Sequence, residues 1–119
     1  MKNNLKYLRE KSSLTAKQLS TLLCLSQRNY LAMEQGIYTM LPELIIMVSR
    51  IYQIRTRIIF DDITLYEDEV EVETGKYAQL TEKERFEQAL FNLIGEEPRK
   101  QYRKRLFKLR DNLNKYCNS

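Results

Sequence analysis

Apolar residues recur along the first half of the chain at helical spacing, separated by short polar breaks. Leu5 and Leu8 lie three apart, with Lys6, Arg9, Glu10 and Lys11 between and after them, which predicts a helix over residues 4–12. Ser12-Ser13 breaks it. Thr15 with Gln18 three residues later is a capping-box pattern that opens a second helix, whose apolar side is Leu19, Leu22 and Leu23. Cys24-Leu25 is the expected turn. Ser26 then caps a third helix to about Gln35, with Tyr30 and Met33 facing inward and Gly36 ending it. Pro42 suits the first turn of a fourth helix, where its missing N–H costs nothing. Ile45, Val48, Ser49 and Tyr52 repeat along that helix, and a short fifth fits about Thr56 to Phe60.

The pattern then changes. Val70-Glu71-Val72-Glu73 alternates like a strand, but a lone strand has nothing to pair with. Residues 63–79 are therefore expected to be a mainly irregular acidic linker. Thr81-Glu82-Lys83-Glu84 is a second capping box, opening a helix to about Ile94 with Leu80, Phe86, Leu90 and Leu93 apolar. Gly95 stops it. Pro98 starts a last helix to about Tyr116. Its Tyr102, Leu106, Leu109, Leu113 and Tyr116 follow a coiled-coil-like spacing. The reading is all-α: residues 1–62 as a five-helix domain, residues 63–79 as linker, and residues 80–119 as a helical hairpin.

Charge divides the chain at the same places. Residues 1–60 carry nine Lys/Arg against three Asp/Glu, residues 61–75 carry seven acidic groups and no basic ones, and residues 76–119 carry eleven basic against six acidic. Two basic modules flanking an acidic one suit a polyanionic partner. The run Arg99-Lys100 and Arg103-Lys104-Arg105 fits better as the solvated face of a helix whose seam is buried. The acidic stretch lacks the glycine and alternation of a calcium loop.

What is missing narrows the chemistry. There is no histidine, so the commonest general base and zinc ligand is absent, and glycine occurs only at positions 36, 75 and 95, so no phosphate-cradling loop can be drawn. Two cysteines, Cys24 and Cys117, make a closed metal site an unattractive reading. No enzyme activity, cofactor or metal is expected. The longest apolar run, residues 44–48, is too short to span a bilayer, and no apolar signal core follows Met1. A cytoplasmic location and no membrane partner are the expectations.

The segment LKYLREKSSLTAKQLSTLLCLSQRNYLAMEQG, with Glu43, Val48, Ile54 and Phe60 continuing the spacing, resembles the phage-repressor and Cro helix-turn-helix family, also called the xenobiotic-response-element family. The resemblance covers residues 5–60. It implies a lambda-repressor-like domain that binds a double-stranded DNA operator, as a repressor and a homodimer. The physical logic is that a major groove admits one α-helix and the residues at its N-terminal end reach base edges. Here those residues are Gln27, Arg28 and Asn29, with Ala32 one turn later. Ser26 is the cap, whose neighbouring amides suit a phosphate. By resemblance, Lys17 and Tyr38 touch the DNA backbone, and Arg9 pairs with Glu34 in the core.

The chain departs from the family pattern at several positions. Ala16 stands where a glutamine is common and Cys24 where glycine is usual in the turn. Met40 stands where a proline follows the third helix. Leu22, Leu31, Ile37 and Met47 are apolar where polar residues are usual. Such residues suit thymine methyl groups, a protein partner engaged through Leu31 and Ile37, or packing against the C-terminal helices. A protein-interaction module, such as an antagonist of a regulator or an antitoxin, is the alternative reading. The dimer contact is expected from Phe86, Leu90, Tyr102, Leu106, Leu109, Leu113 and Tyr116, whose two hairpins would form a four-helix unit.

Overall fold

The first helix is fixed at its N-terminal end by polar side chains. In the computed structural model, which describes residues 2–95, α1 spans Leu5–Ser12. Asn3 accepts from the Leu5 N–H at 3.0 Å and donates to the Met33 carbonyl at 2.8 Å. The Asn4 amide donates to the carbonyls of Ile58 and Asp61, and its backbone N–H to that of Ile59. These bonds tie the N-terminus to segments more than fifty residues away. Ser13 ends the helix in the left-handed region at φ 63°.

Three more helices complete the first layer. α2 spans Ala16–Leu22, α3 Gln27–Glu34 and α4 Pro42–Tyr52. The Thr15–Gln18 capping box is formed in both directions, and the Ser26 hydroxyl accepts from the Asn29 N–H at 3.1 Å. Pro42 sits in the first turn of α4, and Gln53 closes that helix at φ 54°. Buried on α4 are Leu44, Met47, Val48, Ile51 and Tyr52, with Ile45 half-buried. The expected fifth helix is one 3-10 turn, Thr56–Ile59, which buries Ile58 and Ile59.

The acidic segment is not a linker. A 3-10 turn, Ile63–Tyr66, leads into α5, Glu67–Ala78. Val70, Thr74 and Tyr77 are buried on one side of α5, which packs against α1, whereas Val72 is 62% exposed. The expectation of irregular chain fails here because the inward side of α5 is Val70, Thr74 and Tyr77, at helical spacing, and only one valine of the alternating pair faces the core. The acidic residues have a local role: Glu67, Asp68 and Glu69 fill the first turn of α5, where carboxylates meet the positive end of the helix dipole.

α6, Glu82–Ile94, is opened by the expected Thr81–Glu84 capping box and stopped at Gly95, φ 66°. Backbone and hydroxyl bonds from Thr81 hold the Glu84 carboxyl below its ordinary range. α6 packs on α4, on α2 and on α5, burying Ala89 and Leu93 in the same core as Leu5 to Ile59. The expected boundary between residues 1–62 and residues 80–119 is thus crossed by one continuous core. Phe86 and Leu90, expected in a dimer seam, are half-buried against the chain's own core. The rest of that seam, Tyr102, Leu106, Leu109, Leu113 and Tyr116, lies outside the described residues, as does the helix expected from Pro98.

Among the described residues the protein is all-helical, with six α-helices and no strand. None of these helices is long and apolar enough to cross a membrane.

Candidate nucleic-acid interface

α3 is held by one side, and this leaves the other side available. Tyr30 and Met33 are buried in the core. In the last turn of α3, Glu34 takes a two-pronged bond from Arg9 of α1, Nε to Oε2 at 2.7 Å and Nη2 to Oε1 at 2.9 Å. The Glu34 side chain is 4% exposed and that of Arg9 22%, so the pair is largely desolvated. Bonding to Glu34 raises the Arg9 pKa further and keeps the guanidinium charged, while burial pushes the Tyr30 hydroxyl well above its ordinary value. A planar fork on a carboxylate fixes orientation as well as distance, so α3 has one rotational setting against α1. The expected Arg9–Glu34 partnership is present.

The turn between α2 and α3, residues 23–26, brings the two helices into contact. Cys24 adopts φ 59° in this turn. A Cβ makes this left-handed conformation costly, so glycine would suit the position better than cysteine does. Leu25 donates its N–H to the Ser20 carbonyl and closes the turn.

On the free side of α3, Gln27 and Arg28 are exposed, and Ala32 is half-buried. Together with Leu31, Gln35, Ile37 and Tyr38 they line one open groove. Its lining includes one cation, Arg28, and no anion. Ser26 is exposed at the cap, and Asn29 is half-buried with its N–H committed to Ser26. Lys17 is exposed near the start of α2, and its carbonyl accepts from the Ser20 and Thr21 hydroxyls. Ser26, Asn29 and Lys17 are not part of the groove lining, which unites Gln27, Arg28, Ala32 and Tyr38. Gln35 joins that lining without having been singled out from the sequence. Its signal was available, since it lies seven and eight residues beyond Arg28 and Gln27 on the same helical side.

The apolar departures separate into two groups. Leu22 and Met47 are buried, on helices against which α6 packs. Leu31 is 36% exposed and Ile37 69%, both on the groove with Tyr38. Among the described residues no group of acidic or cysteine side chains could hold a metal ion.

Comparison of the chain with family models, with curated proteins and with solved structures finds no match.

Proposed function

We propose that the chain is a sequence-specific double-stranded DNA-binding regulator built on a repressor-type helix-turn-helix domain, acting as a dimer to repress transcription. The observation that carries this reading is the setting of α3. Its cap and its inner side are fixed by Ser26, Tyr30, Met33 and the Arg9–Glu34 pair, and its outer side presents Gln27 and Arg28 with no anion beside them. A rigid helix whose N-terminal side chains stand free is what a major groove accepts, with glutamine able to pair with adenine and arginine with guanine. Lys17 and Tyr38 flank that helix as phosphate contacts.

Selection of bound sequences from a random duplex library, repeated across a salt series, tests the reading. Affinity should fall steeply with salt. Arg28→Ala should cost about 1–3 kcal/mol at one base position and relax preference there, whereas Lys17→Ala should weaken all sequences alike and flatten the salt slope. If no sequence is enriched and salt has no effect, DNA reading is refuted. For the dimer, light scattering on the full chain and on Leu106→Asp/Leu109→Asp should give a dimer and a monomer respectively. A monomeric wild-type chain would remove that part of the proposal.

A further inference from the structure

A polar cleft lies where the end of α4 meets α5 and α6. Its volume is about 470 Å³, and its polar lining is Gln53, Glu73, Lys76, Tyr77, Gln88 and Asn92. Small-molecule sites occupy roughly 300–1,000 Å³. The direction of the hydrogen bonds around the cleft is set by two main-chain carbonyls, which can only accept. The Ile51 carbonyl takes the Asn92 Nδ2–H at 3.0 Å, so the Asn92 Oδ1 is left for another donor. Gln88 Nε2 donates to that Oδ1 at 3.0 Å, and the Gln88 oxygen then has no bond among the described residues. The Arg50 carbonyl likewise takes the Gln53 Nε2–H at 2.7 Å and leaves the Gln53 oxygen open. Tyr77 is already spent, donating to the Ile51 carbonyl and accepting from Asn92. Glu73 meets Lys76 through Oε2 at 3.1 Å, and its Oε1 has no bond among the described residues.

The cleft thus combines open oxygens on Glu73, Gln53 and Gln88 with one ammonium, that of Lys76. The Lys76 side chain is 66% exposed, and a surface pair of this kind is weak, so Lys76 changes partner at little cost. A ligand that fits this set carries N–H donors for the oxygens and an anion for Lys76. An alkylammonium has three donors, which matches Glu73 and the two glutamine oxygens. An amine alone would leave two cations sharing Glu73, and a carboxylate alone would leave the oxygens unmatched. A zwitterion meets both demands and leaves the net charge of the cleft unchanged. We propose that this cleft binds a free amino acid, with its ammonium on Glu73, Gln53 and Gln88 and its carboxylate on Lys76. Leu80 also lines the cleft and offers an apolar wall to the ligand's side chain. The inference does not rest on DNA binding, because none of these residues lines the groove beside α3.

Titration of the full chain with each of the standard amino acids, followed by NMR, tests the proposal. At least one should bind saturably at or below about 10 mM. The side-chain amide signals of Gln53 and Gln88 should shift as it binds. The N-acetyl and the amide derivatives of that amino acid should each bind about tenfold more weakly or worse, as the loss of a charge-assisted bond entails. Glu73→Gln and Lys76→Gln should each produce the same loss. Neither side chain is buried, so melts without ligand should stay close to wild type and certify that both variants are folded. If no amino acid binds, the inference is overturned, including the case in which a basic residue between Arg99 and Arg110 already holds Glu73. Binding that survives N-acetylation, or that Glu73→Gln leaves unchanged, would overturn it as well. None of these outcomes alters the DNA-binding reading, which the duplex selection tests separately.

Discussion

α3 and α5 each bury only two or three side chains, and they are anchored by different means. α3 is fixed by Tyr30, Met33 and one desolvated ion pair, and its remaining side is open. α5 is fixed by Val70, Thr74 and Tyr77 and by bonds onto main-chain carbonyls. Tyr77 donates its hydroxyl hydrogen to the Ile51 carbonyl, and Asn92 of α6 donates to the same carbonyl at 3.0 Å and to the Tyr77 oxygen at 2.9 Å. Arg85 of α6 donates to the Tyr77 and Ala78 carbonyls, and Gln18 of α2 to the Glu82 carbonyl. A charge pair orients one helix, whereas distributed side-chain-to-backbone bonds close the C-termini of α4 and α5 and lock four helices together. The first arrangement leaves one side of its helix open, and the second makes a brace.

The largest effect should come from charging the α3 anchor. Met33→Asp puts a carboxylate where Met33 is 2% exposed, and the desolvation cost of several kcal/mol should unfold the chain. Leu31→Asp, on the open side, should change stability by about 0.5 kcal/mol or less. Thermal melts of the two decide it, and a larger drop for Leu31→Asp would reverse the assignment of sides.

Removing one ion-pair partner ranks next. Arg9→Ala leaves the Glu34 carboxylate buried without its partner and should cost about 3 kcal/mol, measured by urea unfolding.

The brace should be weaker per bond. Tyr77→Phe removes one donor to the Ile51 carbonyl and one acceptor of Asn92, while the bond from Asn92 to Ile51 remains, a cost of about 1–2 kcal/mol. It also changes the alkaline limb. Burial raises the hydroxyl pKa of Tyr30, Tyr52 and Tyr77 in the folded chain, whereas the unfolded tyrosines ionise near pH 10. Above that pH the unfolded state binds fewer protons, so stability falls as pH rises. The limiting slope is about 4 kcal/mol per pH unit for three tyrosines, reduced by about a third in Tyr77→Phe. Identical slopes for the two proteins would show that Tyr77 does not resist ionisation.

The smallest effect has the opposite sign. Gly75 sits inside α5, and a Cβ placed there meets nothing within 4 Å. Gly75→Ala should therefore stabilise by up to about 1 kcal/mol, because alanine loses less backbone entropy in a helix. A destabilised variant would mean that the α5 face is occupied in solution.

Legibility followed the source of each element's order. α1 to α4 and α6 are visible in the sequence because their signals are local: apolar residues three and four apart, two capping boxes, Ser26, Pro42 and the stop at Gly95. α5 was not visible. Its inward positions are Val, Thr and Tyr, two of them with polar atoms, and its valine pair imitates a strand. Asn3 and Asn4 were equally silent, because an asparagine that joins distant carbonyls looks like any polar residue near a terminus. Of the proposed interface, Gln27, Arg28, Ala32 and Tyr38 were named from the sequence and do line one groove.

By itself, the sequence determined where most helices begin and end, since caps, breaks and periodicity act within a few residues. It also determined that α3 turns Tyr30 and Met33 inward and Gln27 and Arg28 outward, because the apolar residues three apart mark one side of the helix. Only the tertiary structure decided that the acidic segment is a helix against α1, that Phe86 and Leu90 rest on the chain's own core, and that Leu22 and Met47 are buried while Leu31 and Ile37 are not. Each of these depends on which remote surface arrives to cover a side chain, and spacing along the chain carries no record of that.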